Sequence, residues 1–510
     1  MPNHTQVTRR ALLQHGTFSL GATAVASLLQ EEASGFATQA GTRGEPTLAP
    51  RSGHLPARAR SVIMLFQNGG PSHMDLFDPK PELTRRHGEK TSLTNAMQGN
   101  TEPLLGSPFR FQARGRSGIE FSELVPHLGA TVDDLCVVRS MYLSDPNHPG
   151  ATYEMCTCNR RPGRPSLGAW VTYALGSENR NLPAYVCLRD PAVFHSGGSM
   201  QISSGWLPGL FRGTELRTEG DAVLNLRPAQ KPPAGAQENS QRLLARLNAR
   251  HQRLYPHESE LDARIENYRL AGRMQVAAAE DLDLSRESGA TQRMYGLDNP
   301  TTAAYGRRCL MARRLVERGV RFVQILAPAP HNVWDHHGNI NTRLPPICAE
   351  VDRPSAALIQ DLKQRGLLDE TVVLWTGEFG RMPISQGGNG RDHNPHGFTV
   401  LLAGGGFKAG HVHGATDELG YAAVTDRVGV PDLMATIFHQ LGLDHNRVAY
   451  EHLGSQETMT DARVNGARVV TELLQHPTPP RPERAASHHL RATPWDLRHP
   501  RASRWERASS

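Results

Sequence analysis

Asp335, His337, Glu378 and His393 are residues of this 510-residue chain whose types could hold a divalent metal ion. Two imidazoles and two carboxylates supply the nitrogen and oxygen donors that suit Zn²⁺ or Mn²⁺, and they leave a position for water or substrate. The same residue types also suit a hydrogen-bonded polar network between loops. They sit in three of five polar clusters. One runs Asn68, Gly69, Gly70, Ser72, His73, Asp75 and Asp78. Another holds Arg139 and Ser140 and continues through Ser144, Asp145, Pro146, Asn147 and His148. The rest span 331–339, 376–381 and 391–396. Arg381 and Arg391 flank the set and could neutralise an anionic ester by bidentate contact. An Arg in a loop is as readily solvated.

Each cluster borders an apolar run, and those runs are the elements that must position it. The stretches at 62–66 (VIMLF), 135–138, 320–326, 371–375 (TVVLW) and 398–402 (FTVLL) read as buried strands. Helical periods fall at 301–318, closed by Gly319, at 354–365, closed by Gly366, and at 431–441. Solid apolar strands alternating with helices predict an α/β fold, a mostly parallel sheet sandwiched by helices. Sites in such sheets form at the carboxyl ends of strands, where four of these clusters lie; the one at 391–396 precedes its strand. Between 190 and 300 the pattern loosens, with a polar helical stretch over about 235–285, and reads as an insertion or cap. No internal repeat is present. Gly404, Gly405 and Gly406 form no phosphate loop, because no Lys-Ser/Thr follows at the required spacing.

The segments at 62–81 (VIMLFQNGGPSHMDLFDPKP), 164–183, 309–325, 334–339 (WDHHGN), 376–383 (TGEFGRMP) and 390–418 together resemble the exported, sulfatase-like domain-of-unknown-function family 1501. That family is similar to the alkaline phosphatase/sulfatase superfamily. The resemblance implies a hydrolase of phosphate or sulfate esters using one or two divalent ions, with Zn, Mn, Ca and Mg not distinguished. It implies that Asp335 and His393 hold the first ion. His337 replaces a His expected four residues after the Asp, where this chain has Asn339. At the second position the resemblance expects an acid, and Asn68 stands there. It also expects Asp-His-Gly, and Glu378-Phe379-Gly380 stands there. Glu378 can bind a metal and Phe379 cannot; Asp75 or His73 could compensate. Ser144 would be the nucleophile, with Asn147 supporting the substrate oxygens; a plain turn built on Asp-Pro-Asn fits the same stretch. Pro162-Gly163-Arg164-Pro165-Ser166 is not the formylglycine signature, which argues against that sulfatase chemistry.

The ends of the chain carry its charge. The formal net charge is +6, yet residues 1–60 hold six Arg against three acids and residues 476–510 seven Arg against three acids. The middle holds 43 basic and 44 acidic residues. A nucleic-acid module needs a basic folded face; Trp495 and Trp505 sit in a tail with no such module, so nucleic acid is not an expected partner. Arg9-Arg10 followed by a short apolar stretch at 17–29 resembles a twin-arginine export signal. The resulting layout is a signal at 1–40, a linker at 41–60, an α/β domain at 61–475 and a disordered tail at 476–510. The expected partners are the twin-arginine translocase during export and a small-molecule or glycan ester as substrate. The expected location is periplasmic or at the cell surface, with a signal anchor open as an alternative. Six Cys form no disulfide framework, and Cys156-Thr157-Cys158 reads as packing. The alternative to a hydrolase is a catalytically degenerate relative that binds a ligand or glycan without turnover.

Overall fold

The run at 61–66 forms a strand, β1 (Ser61–Phe66), buried at every residue. The computed structural model describes residues 47–94, 99–190, 195–218, 233, 235–255 and 259–475. The readings of an export signal at 1–40 and a tail at 476–510 lie outside the described residues. Eight further strands join β1 in one sheet: β2 (Leu135–Tyr142), β3 (Tyr185–Leu188), β4 (Thr214–Leu216), β5 (Phe322–Leu326), β6 (Thr371–Thr376), β7 (Phe398–Ala403), β8 (His411–His413) and β9 (Val428–Gly429). The order is β8-β2-β7-β6-β1-β5-β3-β4, and β9 pairs with β2. β1 runs parallel to both neighbours, with Val62 opposite Phe322 on one side and Val372 on the other.

Alternate residues of β1 enter two separate cores. Ile63 and Leu65 pack with α5 (Pro300–Glu317) and α6 (Ile340–Gln364) through Leu310, Leu315, Ile347, Val351 and Leu362. Val62, Met64 and Phe66 pack on the other face with α1 (His148–Thr157), α2 (Leu167–Leu175) and α7 (Val430–Gln440). Both faces are therefore covered, which is why the strand reads as an unbroken apolar run. Each such side chain contributes about 1.5–3 kcal/mol by burial.

Two elements differ from expectation. β7 runs antiparallel to β6 and to β2, so the sheet is mixed. The chain from β6 to β7 forms no crossover helix, and a parallel pair needs one. α6 begins at Ile340, not at 354, although Pro345, Pro346 and Pro354 lie inside it. Burial of Leu344, Ile347, Cys348 and Val351 outweighs the lost backbone donors.

Within 190–300, β4 extends the main sheet beside β3. Helices α3 (Ala236–Leu254) and α4 (Ser259–Asp281) follow, and α4 buries Ala263, Ile265, Leu270 and Met274. Part of the 41–60 stretch docks on the end of α7, with His54 N and Ala59 N donating to Gly442 O and Gln440 O. All six Cys are free thiols, and five are buried. Among the described residues no helix is long and apolar enough to cross a membrane.

Candidate metal centre

His148, Asp335, His337 and His393 meet at one end of the sheet, their ligand atoms all within 4.8 Å of one another. His148 opens α1 after β2, and Asp335 and His337 lie in the loop after β5. His393 precedes β7, yet it reaches the same edge because β7 is antiparallel. A two-residue pairing sets His393 opposite Arg381, which follows β6.

The three imidazoles are oriented alike. Nδ1 of His148 lies 2.6 Å from Glu378 Oε1, Nδ1 of His393 lies 2.8 Å from Pro146 O, and Nδ1 of His337 bonds Gln386 Oε1. With its proton on Nδ1, where an oxygen acceptor stands in each case, a neutral ring would turn its Nε2 lone pair inward. All three Nε2 atoms converge on Asp335, at 3.2 Å for His148, 2.8 Å for His337 and 3.2 Å for His393. The Nε2 atoms of His337 and His393 are 3.1 Å apart. Imidazoles whose outer nitrogen is held by oxygen while the inner one faces a carboxylate are the arrangement of a metal-ligating set. Ligand bonds of about 2.0–2.2 Å fit within this spread. Three imidazoles, which an ion would hold neutral, and one carboxylate fit a divalent ion of the Zn or Mn type.

Electrostatics favour the same state of the carboxylate. Burial alone would raise the Asp335 carboxyl, but His148, His337, His393 and Arg381 hold it far below the usual range. Burial pulls His148 down, and its bonds to Asp335 and Glu378 override this and raise it to about 9. The bond to Asp335 raises His337, while burial lowers His393.

The other residues singled out in the sequence are placed as follows. Glu378 stands behind His148; its Oε1 also accepts from Gly69 N at 2.8 Å, and its Oε2 is buried with no partner among the described residues. Asn68 is fully buried, and neither atom of its amide has a partner there. Phe379 packs its ring on His393 and His148, at 4.6 and 4.9 Å between centroids. Arg381 is spent inside the protein: Nη2 donates to Asp335 at 2.6 Å, Nε to Gly70 O at 2.8 Å and Nη1 to Arg391 O at 3.0 Å. Arg391 is fully buried against Asp75, at 2.7 and 3.2 Å, so the structure does not present it to an ester. Asp75 and His73 are not among the side chains that meet at the centre: Arg391 and Ser72 hold Asp75, and His73 Nε2 bonds Gly420 O. Asn339 caps α6.

Ser144 and Asn147 are exposed on the loop that carries His148. Ser144 Oγ donates to Glu154 Oε2 at 2.7 Å, and burial raises the Glu154 carboxyl. Sequence reasoning assigned no role to His148 or Glu154. His148 had a visible signal as the last residue of the polar loop after β2. Glu154 reaches back from α1 and had none.

A family model described as "Protein of unknown function (DUF1501)" matches residues 59–474. No curated protein matches the sequence. Among solved structures the chain is similar to the lipoteichoic acid synthase LtaP from Listeria monocytogenes, at 9% identity and a TM-score of 0.33, over 80% of this chain and 76% of that one. It is similar to the PsFucS1 sulfatase from Pseudoalteromonas sp., at 13% identity and 0.32, over 76% and 68%. It is also similar to the alkaline phosphatase from the Antarctic bacterium TAB5, at 11% identity and 0.29, over 75% and 97%.

Proposed function

We propose that this chain, which belongs to the family described as "Protein of unknown function (DUF1501)", is an exported metal-dependent hydrolase of phosphate or sulfate esters. The observation that carries this reading is the convergence of three Nε2 atoms on Asp335 with every Nδ1 held from behind. The motif order that resembles the alkaline phosphatase/sulfatase superfamily supports the ester class. His148, Asp335, His337 and His393 would hold the ion, which when bound polarises an ester oxygen as a Lewis acid.

The chain's own residues do the rest. Arg381 fixes the Asp335 carboxylate, and Glu378, Gln386 and Pro146 O fix the rings. Glu154 sits where it can take the Ser144 hydroxyl proton as that oxygen attacks phosphorus or sulfur. The alkoxide leaves and takes a proton from solvent; water then attacks the same centre, losing its proton to solvent as the bond to Ser144 breaks, and Glu154 returns its proton to the Ser144 oxygen. Asn147, beside this loop, supports the substrate oxygens in this scheme.

A metal count on purified protein, alongside a panel of aryl phosphates and sulfates, tests the reading. At least one equivalent of divalent ion is expected. Asp335→Ala, His393→Ala and His148→Ala should each lose both ion and turnover. Ser144→Ala should keep the ion and lose turnover. A metal-free protein that folds unchanged removes the assignment.

A second reading keeps the ion and loses the chemistry: a relative that binds a glycan without turnover. The neutral Asn68 amide, without a partner among the described residues, and the Phe379 ring favour it, because they occupy positions where the resemblance expects an acid and a His. An ion-loaded protein inert on the whole panel would support it. Export is part of the proposal, supported by Arg9-Arg10 ahead of the apolar stretch. Replacing both with Lys should hold a tagged protein in the cytoplasm, as read by fractionation.

A further inference from the structure

Helix α3 presents a surface that the fold does not use. Every residue from Asn239 to Arg250 is exposed except Asn248, and the main neighbour of the helix is α4. Gln252 Nε2 donates to Asp262 Oδ1 at 2.6 Å, and Gly272 of α4 faces the Gln241 amide. With about 3.6 residues per turn, Gln241, Asn248 and Gln252 share this one side. Leu243, Leu247 and Leu254 recur at i, i+4 and i+11 and form a stripe turned away from it, 59%, 53% and 65% exposed. Leu244 borders the stripe and is also exposed. A single exposed leucine is ordinary, whereas a row of them on one helix marks an interaction face.

The charge beside the stripe selects the partner. Arg242, Arg246, Arg250 and Arg253 recur at i, i+4, i+8 and i+11, all exposed, and form a second stripe along the edge of the first. No Asp or Glu occurs between Asn239 and Tyr255. Of the α4 acids, Asp262 is turned onto Gln252 and Glu266 onto Arg269. A second copy laid on this face about a two-fold axis would set the arginines near their own copies, with no carboxylate of the helix between them. A nucleic acid would engage the arginines and leave the leucines in water. An anionic bilayer satisfies both stripes together: the leucines enter the acyl boundary, and the guanidinium groups meet lipid phosphates at headgroup level.

We propose that α3 docks the protein on an anionic lipid surface, lying in the interface with its leucine stripe inward and its arginine stripe on the phosphates. The proposal rests neither on the metal centre nor on the hydrolase reading.

The test sediments the full-length protein with vesicles of phosphatidylcholine alone, or of phosphatidylcholine mixed equally with phosphatidylglycerol. The apolar stretch at 17–29 is a second route into lipid, so the difference between variant and parent is what reports α3. The parent should bind the mixed vesicles more tightly than the neutral ones, and added salt should weaken that preference. Leu243→Gln combined with Leu247→Gln should weaken binding to the mixed vesicles roughly tenfold or more. Arg246→Gln combined with Arg250→Gln should do the same on mixed vesicles and leave binding to neutral ones unchanged. Both variants should melt with the parent and carry the same ion content, because the altered side chains are exposed and far from any core contact. No preference for anionic vesicles, or parental binding by either double variant, overturns the proposal. A parent dimer in sedimentation velocity that the leucine variant loses, in a protein that ignores vesicles, overturns it in favour of a contact between copies.

Discussion

His148 and Arg391 exchange the roles that residue type suggests for them. The histidine closes the metal set, and the arginine, expected near an anionic substrate, is locked on Asp75 with both side chains fully buried. Burial alone would raise the Asp75 carboxyl, and the Arg391 guanidinium overrides it and holds the group below the ordinary range. A carboxyl depressed on folding contributes stability that is present above its unfolded value and is lost as pH falls below it. Asp75→Asn leaves a buried guanidinium without its counter-charge, a change that costs about 3–5 kcal/mol. Denaturant titration at pH 7 should show that loss, and the gap between variant and parent should narrow as pH falls through the carboxylate range. The ion content of the folded variant should stay unchanged, since Asp75 does not touch the centre. An ion lost together with stability would place Asp75 in the metal set after all.

At the scale of elements, the site depends on the turn that follows β1. Gly69 has φ +113°, and a Cβ there would meet Trp334 N at 2.7 Å and Asn332 O at 2.8 Å. Gly70 has φ +68° and would meet the Phe379 ring at 2.6 Å. The turn brings Gly69 N to Glu378, which in turn holds His148. Gly69→Ala should therefore cost about 2 kcal/mol or more and weaken ion affinity by roughly tenfold or more through the displaced Glu378. Calorimetric melting and a chelator competition read the two effects separately; unchanged ion affinity would uncouple the turn from the centre. Much of this architecture was legible beforehand. The strands at 62–66, 371–375 and 398–402 declared themselves because burial on both faces demands unbroken apolar runs. The direction of β7 is encoded only in the missing helix between 376 and 398. The side chain that completes the metal set, His148, was visible only as a loop residue, because ligand geometry is fixed by strand order and not by spacing along the chain.

At the scale of the whole molecule, the formal charge of +6 describes the ends of the chain, while the body is near neutral. The charges that matter in the body are few, and they meet where the sheet changes direction. The four candidate ligands come from segments flanking β2, β5 and β7, which are separated by long stretches of chain and lie on both sides of β1 in the sheet. An ion bound there cross-links loops that unfolding must separate, so it binds the native state and not the unfolded one. The linkage is quantitative: free ion at a hundredfold excess over its dissociation constant adds about 2.7 kcal/mol of stability. For a domain of this size that corresponds to an upward shift of a few degrees in melting temperature. Chelation should lower the melting temperature by that amount, and adding back the divalent ion should restore it in a concentration-dependent way. Asp335→Ala should melt near the chelated parent and should not respond to the ion. A parent whose melting ignores both chelator and ion would show that the four side chains form a hydrogen-bonded network in place of a metal centre.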